Sequence, residues 1–454
     1  MDQTEGKGKM AIEITGLNEK FEGSFRFRGK DFSVPYALPN DRVQFLLKRR
    51  GRLSIEVRHI EPANGYPETI RLAEPFCDHY RRCGGCRGQH LSYECQLETK
   101  TSPVIEKMRA EFAVEPIVLA AEERSAYRNR MDFVVTEECV GLRPAGDFSS
   151  FVDIVRCPIQ REPMNRTLSI LRERIAAFPG IGYSREQNGG IVKYATIRYG
   201  TTGALILTVD RNRADHPLYA EYNRFIALLS EELAGSEFAL IECETEAGSE
   251  ISCVPAGRAL SGRSDFSITM CGTEFCVPYD SFFQPNPEGF EHLIDFVKGY
   301  TGEILPRGGV ILDLYCGAGV LSRIIADALR EPPGGIIGFD FVESSIILAK
   351  RNLSSYHNID FRAADLNGAI DPAAISGAHL IIADPPRAGL SPALIRSILN
   401  DSEAEYFIYI SCNPASQIRD LKGLSGKYRP IAAALADCYP QTPHLEQAVI
   451  LKRV

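Results

Sequence analysis

Val310-Ile311-Leu312-Asp313-Leu314-Tyr315-Cys316-Gly317-Ala318-Gly319-Val320 reads as an apolar strand that runs into a glycine-rich turn and on into a helix. Beyond it, GIIGFD, HLIIADPP, YFIYISC and QAVILKR are apolar along their length and alternate with helical segments. Strands with no polar face need cover on both sides, so from about residue 290 onward a doubly wound α/β sheet is expected. Such sheets bind ligands at the carboxyl ends of their strands, and Gly317 and Gly319 let backbone approach a ligand closely there. A dinucleotide fingerprint wants a third glycine three residues after Gly319, where Ser322 stands. Asp340 ends the next strand, in place to accept hydrogen bonds from ribose hydroxyls. Asp365 follows a third strand, in reach of an adenine amino group. Either carboxylate could instead cap a helix.

Three further segments bring reactive groups to the same edge. In Asp384-Pro385-Pro386-Arg387-Ala388-Gly389 two prolines fix a turn that holds Asp384 toward the crevice. Tyr409-Ile410-Ser411-Cys412-Asn413-Pro414 ends the following strand on a cysteine. That thiol is either apolar filler or, if cationic or helix-terminal groups lower its pKa, a nucleophile. Pro440-Gln441-Thr442-Pro443-His444-Leu445-Glu446-Gln447 precedes the last strand and aims Glu446 at the same place, with His444 read as structural.

The glycine turn with its spaced acids resembles the class I methyltransferase fold that binds S-adenosylmethionine. The strings Asp-Pro-Pro-Arg-Ala-Gly, Ser-Cys-Asn-Pro and His-Leu-Glu, with Ser281-Phe282-Phe283-Gln284-Pro285-Asn286, are together similar to the RNA 5-methyluridine methyltransferase family. The resemblance implies that Cys412 is the nucleophile and Glu446 the general base. It further implies that Gln284, Tyr315, Asp340 and Asp384 line the cofactor and uracil sites, joining Gly317, Gly319 and Asp365. Members commonly carry Asn after Gly-x-Gly; Val320 stands there, so one polar contact to the cofactor is lost or replaced. The chemistry explains the residue types. Carbon 5 of uracil is a poor nucleophile until a thiolate adds to carbon 6, and a base must then remove the carbon 5 proton.

Cys77, Cys83 and Cys86 are spaced C-x5-C-x2-C, with Cys157-Pro158 far downstream. Thirteen cysteines in a long chain whose first residues, MDQTEGKGKM, carry no apolar core of a signal peptide suggest reduced thiols, and clusters then mean metal or catalysis. By spacing alone zinc and an iron–sulfur cluster are equals, with His79 and Cys95 as substitute ligands. Family members with this pattern hold a four-iron four-sulfur cluster, so the resemblance implies one on Cys77, Cys83, Cys86 and Cys157.

Residues 11–60 hold five short alternating runs, AIEITGL, SFRFRG, DFSVPYA, VQFLLKR and LSIEVRHI, a pattern for a small all-β barrel. Phe25-Arg26-Phe27-Arg28 puts aromatics on one face and arginines on the other, and Lys48-Arg49-Arg50-Gly51-Arg52 makes a basic tip. The barrel looks like the TRAM module, with Val34 to Asp41 as its central turn. Twelve Lys and Arg against eight Asp and Glu give residues 1–60 a charge of +4 in a chain of net −8, so the basic face is N-terminal. Three domains are expected: 1–62, an RNA-binding barrel; 69–275, a central α+β unit with the cluster and a helix near 91–112 whose partner surface the sequence leaves open; and 276–454, the methyltransferase. No apolar run approaches membrane-spanning length, so a cytoplasmic enzyme with RNA as its partner, and no obligate protein partner, is expected. The substrate expected is 23S ribosomal RNA, with the T-loop of tRNA as alternative. An RNA-binding protein with an inactive fold and an iron–sulfur oxidoreductase are the competing classes.

Overall fold

The computed structural model describes residues 10–454 except 51, 138, 148, 185–188, 247, 256 and 369. The anticipated sheet is present. Its strands, numbered in chain order, are β1 (Val310–Leu314), β2 (Gly335–Asp340), β3 (Ile359–Ala363), β4 (Leu380–Ala383), β5 (Tyr406–Ser411), β6 (Tyr428–Ala436) and β7 (Glu446–Arg453). They lie in the order 3-2-1-4-5-7-6, with β7 antiparallel to both β5 and β6. Alternate residues serve opposite faces: Leu312, Ile381, Phe407 and Val449 enter one core, and Ile311, Leu380, Ile408 and Ile450 the other. Helix Pro287–Ile304 covers the second face through Phe290, Leu293, Ile294 and Val297.

An eighth strand, Ile117–Leu119, pairs in parallel with β6. The helix before it, α1 (Tyr93–Phe112), places Met108 in the core of the first face. Helix α1 and this strand, both within 69–275, thus join the catalytic sheet. This piece covers the otherwise open edge of β6, and the hairpin Asp265–Met270 with Thr273–Pro278 packs Phe266, Ile268 and Phe275 against helix Pro287–Ile304. The rest of the segment forms a seven-stranded sheet whose centre is Arg130–Val135, Val192–Tyr199, Gly203–Asp210 and Phe238–Thr245. Helices Glu162–Ala177 and Tyr219–Leu233 share its main core.

The N-terminal module has two three-stranded antiparallel sheets around one core of Ile14, Phe25, Val34, Val43 and Phe45. The first expected run is two strands, Met10–Glu13 and Gly16–Leu17. The chain changes sheet between them, Ile14 N–H bonding Asp41 O and Thr15 N–H bonding Ser24 O. Phe25 is buried and Arg26 and Arg28 are exposed, as alternation requires, while the basic tip at 48–52 falls partly outside the described residues. The module rests on the cysteine-rich segment through Phe21, Leu38, Leu91 and Cys95, and through an ion pair of Glu22 with Arg87 at 2.9 Å.

Candidate active site

The crevice forms where β1, β2, β4 and β5 end and antiparallel β7 begins. At the β1 turn Tyr315, Gly317 and Gly319 all have positive φ, 62°, 52° and 73°. For glycine that costs little; for Tyr315 it is a strained conformation held by its surroundings. Asp340 accepts hydrogen bonds from Gly317 N–H at 3.0 Å and Val342 N–H at 2.8 Å, tying the two turns together and leaving acceptor capacity outward. Asp365 does not cap a helix. Its Oδ1 accepts from both the backbone and side-chain N–H of Asn367 at 2.9 Å, closing its own turn.

Asp313, not singled out from the sequence, lies within β1 beneath this turn. One carboxylate oxygen accepts from Ser322 Oγ at 2.6 Å, and the other is buried with no partner among the described residues. Burial, then the charges of Asp384 and Asp340, push its pKa up to about 7. A carboxylate inside the run Val-Ile-Leu-Asp-Leu was the available signal. The cradle fits the adenosyl cofactor: a free buried acceptor, an outward-facing acid at Asp340, exposed apolar Phe341 and Val342 beside it, and open space next to Gly317.

At the other end of the crevice the register of β5 with β7 decides the arrangement. Ser411 pairs with Gln447, so the next residues outward are Cys412 and Glu446. Cys412 precedes α2 (Pro414–Leu424) and is half-buried, while Glu446 is 3 % exposed. The expectation that cationic or helix-terminal groups lower the thiol pKa does not hold. Burial first, then Glu446 and Asp384, push it up to about 11, and Arg387 opposes them only in part. Burial, then Asp384, likewise holds Glu446 well above the carboxylate range, against the Tyr439 hydroxyl and Arg387. Asp384 is raised to about 7 by burial and has no side-chain hydrogen-bond partner among the described residues. Gln284 reaches this end from its own loop, its Oε1 accepting from Tyr439 OH at 3.4 Å. His444 stays neutral, pushed down to about 4 by desolvation and by Arg387, Arg128, Lys100 and Arg87. Tyr439 is a second residue the sequence did not mark.

The Asp-Pro-Pro turn is held by its neighbours. Asn413 Nδ2 donates to Arg387 O at 2.9 Å, Arg419 Nη2 to Ala388 O at 2.7 Å, and Leu390 N–H to Asp420 Oδ2 at 2.8 Å. Gly389 has φ +81°, and a Cβ there would stand 2.2 Å from that Asp420 oxygen.

Cys77, Cys83, Cys86 and Cys157 come together from two segments, near enough that Cys86 and Cys157 each feel the charge of Cys77 and Cys83. Gly85 N–H points at Cys83 Sγ at 3.4 Å, and buried Gln89 takes the Cys77 N–H at 3.1 Å while its amide nitrogen faces Cys86. The substitutes are engaged elsewhere: His79 accepts from Val155 N–H and Cys95 donates to Thr69 O. Among the described residues, no three acidic, histidine or cysteine side chains converge as a single ion requires. Of the neighbouring arginines, Arg87 pairs with Glu22, Arg82 bonds its own turn at Asp78 O, and Arg81 lies over the Tyr36 ring.

Strand order, glycine turn and the acid ending β2 define a class I methyltransferase. A family described as tRNA (uracil-5-)-methyltransferase matches residues 369–454, and one described as methyltransferase domain matches 305–386. An RNA methyltransferase of Leptospira interrogans is 34% identical over 97% of this chain and 96% of its own, and one of Nanoarchaeum equitans is 28% identical over 98% and 93%. The solved tRNA (uracil-54, C5)-methyltransferase of Pyrococcus abyssi, bound to S-adenosyl-L-homocysteine, superposes with a TM-score of 0.71 over 97% of this chain and 100% of that one, at 24% identity. The chain belongs to the RNA methyltransferase family of its Leptospira interrogans relative, its C-terminal part matches the tRNA (uracil-5-)-methyltransferase model, and its fold is that of enzymes that take S-adenosylmethionine as methyl donor. No helix among the described residues is long and apolar enough to cross a membrane.

Proposed function

We propose that this enzyme methylates carbon 5 of a uridine in structured RNA through a covalent bond between Cys412 and carbon 6. The observation that carries this is the β5–β7 register, which sets thiol and carboxyl side by side at the mouth of the crevice. The cradle formed by Asp313, Gly317, Gly319, Asp340 and Asp365 holds the donor, which supplies an electrophilic methyl. Gln284, Tyr315 and Asp384 are assigned to the cofactor and uracil sites on the family resemblance.

The Cys412 thiol first gives up its proton to the Asp384 carboxylate, which burial makes a stronger base than a free one, so that Glu446 is left for the later step. The thiolate adds to carbon 6, and the ring becomes an enolate whose carbon 5 accepts the methyl. Glu446, as carboxylate, removes the carbon 5 proton; the carbon–sulfur bond then breaks and its electron pair returns to sulfur. Such a base contributes about 10²- to 10⁴-fold. The target base leaves its stack at a cost of a few kcal/mol, less in a loop than in a duplex.

The four cysteines are proposed to bind a four-iron four-sulfur cluster. An all-sulfur donor set with N–H groups aimed at the sulfurs suits it. Zinc would suit the same four thiolates by spacing, and the family resemblance is what favours the cluster. Methyl transfer needs no electron, so its role is structural or RNA-positioning. The N-terminal module, similar to a TRAM barrel, and Arg81 beside Tyr36 form the RNA-facing side. We favour 23S ribosomal RNA as substrate; the tRNA specificity of the Pyrococcus abyssi enzyme supports tRNA as the second reading. Incubation with each RNA and labelled donor, followed by mass spectrometric mapping, is expected to place 5-methyluridine in ribosomal RNA, with none from Cys412→Ala. Full activity of Cys412→Ala would refute the covalent route.

A further inference from the structure

The loop 437–445 carries Tyr439 and delivers the chain to Glu446, yet its anchors come from more than 300 residues earlier. Lys100 on α1 is enclosed, 1 % exposed at its side chain, and pairs with Asp437 at 2.6 Å. Its ammonium also faces the carbonyls of Thr442 at 3.1 Å, His444 at 3.4 Å and Tyr439 at 3.5 Å. Four amino acids along, Gln96 grips Gln441 twice, accepting from its N–H at 3.1 Å and donating to its side-chain oxygen at 3.0 Å. Gln441 has φ 69°, and its carbonyl accepts from Arg87 and Gly88 N–H at 2.8 and 3.0 Å. Tyr127 OH bonds Pro440 O at 2.9 Å.

A buried ion pair is a poor device for stability, since apolar residues of similar volume often do as well or better; its use lies in selecting one arrangement over others. Here the arrangement selected is that of the loop. We propose that Lys100, through Asp437 and the loop carbonyls, is a positioning residue for the reaction, holding Tyr439 and the Glu446 carboxyl where the carbon 5 proton is removed. This rests on the reading of Glu446 as base. Lys100 itself is enclosed by protein and reaches no reacting atom. A displacement of the base by an ångström costs a large factor in rate, and it falls on one step only.

The test compares wild type, Glu446→Gln, Lys100→Met/Asp437→Asn and the triple variant. Thermal unfolding, RNA affinity, first-turnover methyl transfer, and RNA retained covalently on a denaturing gel are followed. The double variant removes both charges together. It is expected to fold and bind RNA as wild type does and to transfer its first methyl within about threefold. Release should be about 10- to 100-fold slower, with adduct accumulating. In the Glu446→Gln background it should add no further delay. Release at the wild-type rate, or an equal added delay in the Glu446→Gln background, overturns the proposal. Should the double variant not fold, Asp437→Asn alone, which keeps the Lys100 bonds to the carbonyls, is expected to slow release at least threefold; wild-type release there overturns it as well. A Glu446→Gln enzyme that traps no adduct refutes the assigned base and this proposal with it, whereas a trapping Glu446→Gln beside a freely releasing double variant refutes Lys100 alone.

Discussion

Cys412 and Glu446 are both held in their neutral forms by burial, and each works only when ionised. Both must lose a proton, so the single-turnover rate is expected to rise with pH toward about 11, where the thiol ionises. A flat profile measured with RNA and donor saturating would contradict this. Glu446→Gln cannot accept the carbon 5 proton, and it is expected to leave methylated RNA attached to Cys412; normal release would show that another group is the base. Asp313 adds a stability effect. Its folded pKa of about 7 lies above its unfolded value, so between these the native protein keeps a proton that the unfolded chain has lost. Its contribution is full below about pH 4 and is lost as pH rises to 7. Asp313→Asn should therefore flatten the fall in urea midpoint between pH 5 and 8, and an unchanged slope would contradict the assignment.

Among the elements, the turn after β4 is the most constrained. Asp420 cannot retreat from Gly389, because Leu390 N–H and Tyr409 OH hold the same carboxylate oxygen at 2.8 and 2.7 Å. Gly389→Ala must take a left-handed conformation and displace that oxygen. A loss of about 1–3 kcal/mol in denaturant unfolding is expected. Methyl transfer should fall at least tenfold, since Asp384 and Arg387 share the turn. The glycine was visible as the end of Asp-Pro-Pro-Arg-Ala-Gly, but its reason, a carboxylate on α2, was not. The strand pattern of β1, β4 and β5 was legible because both faces are buried and the apolar runs are unbroken. The edge strand Ile117–Leu119 was not, since three residues carry no periodicity and Ile117 and Val118 remain partly exposed.

For the molecule as a whole, the cysteine segment lies between the N-terminal module and the catalytic loop. Arg87 joins the two, its side chain pairing with Glu22 and its N–H with Gln441 O. Damage to the thiols should reach the active site through this link. Cys86→Ser is expected to lose iron and acid-labile sulfide, unfold at lower temperature and turn over more slowly, while the wild type is brown. A colourless wild type with stoichiometric zinc would end the iron–sulfur reading.

The alternation of strands with helices, β6 excepted, the glycine turn and the candidacy of Cys412 and Glu446 were legible in the sequence alone. Burial on both faces writes itself as continuous apolar runs, and the reactive residues occur as whole strings at strand ends. What only the tertiary structure decided is the balance of charge and the supports. Whether a thiol is raised or lowered depends on which carboxyls and cations surround it in space. Lys100 and Gln96 lie more than 300 residues from the loop they hold. A local pattern reports the solvent each residue faces, not the distant side chain that meets it.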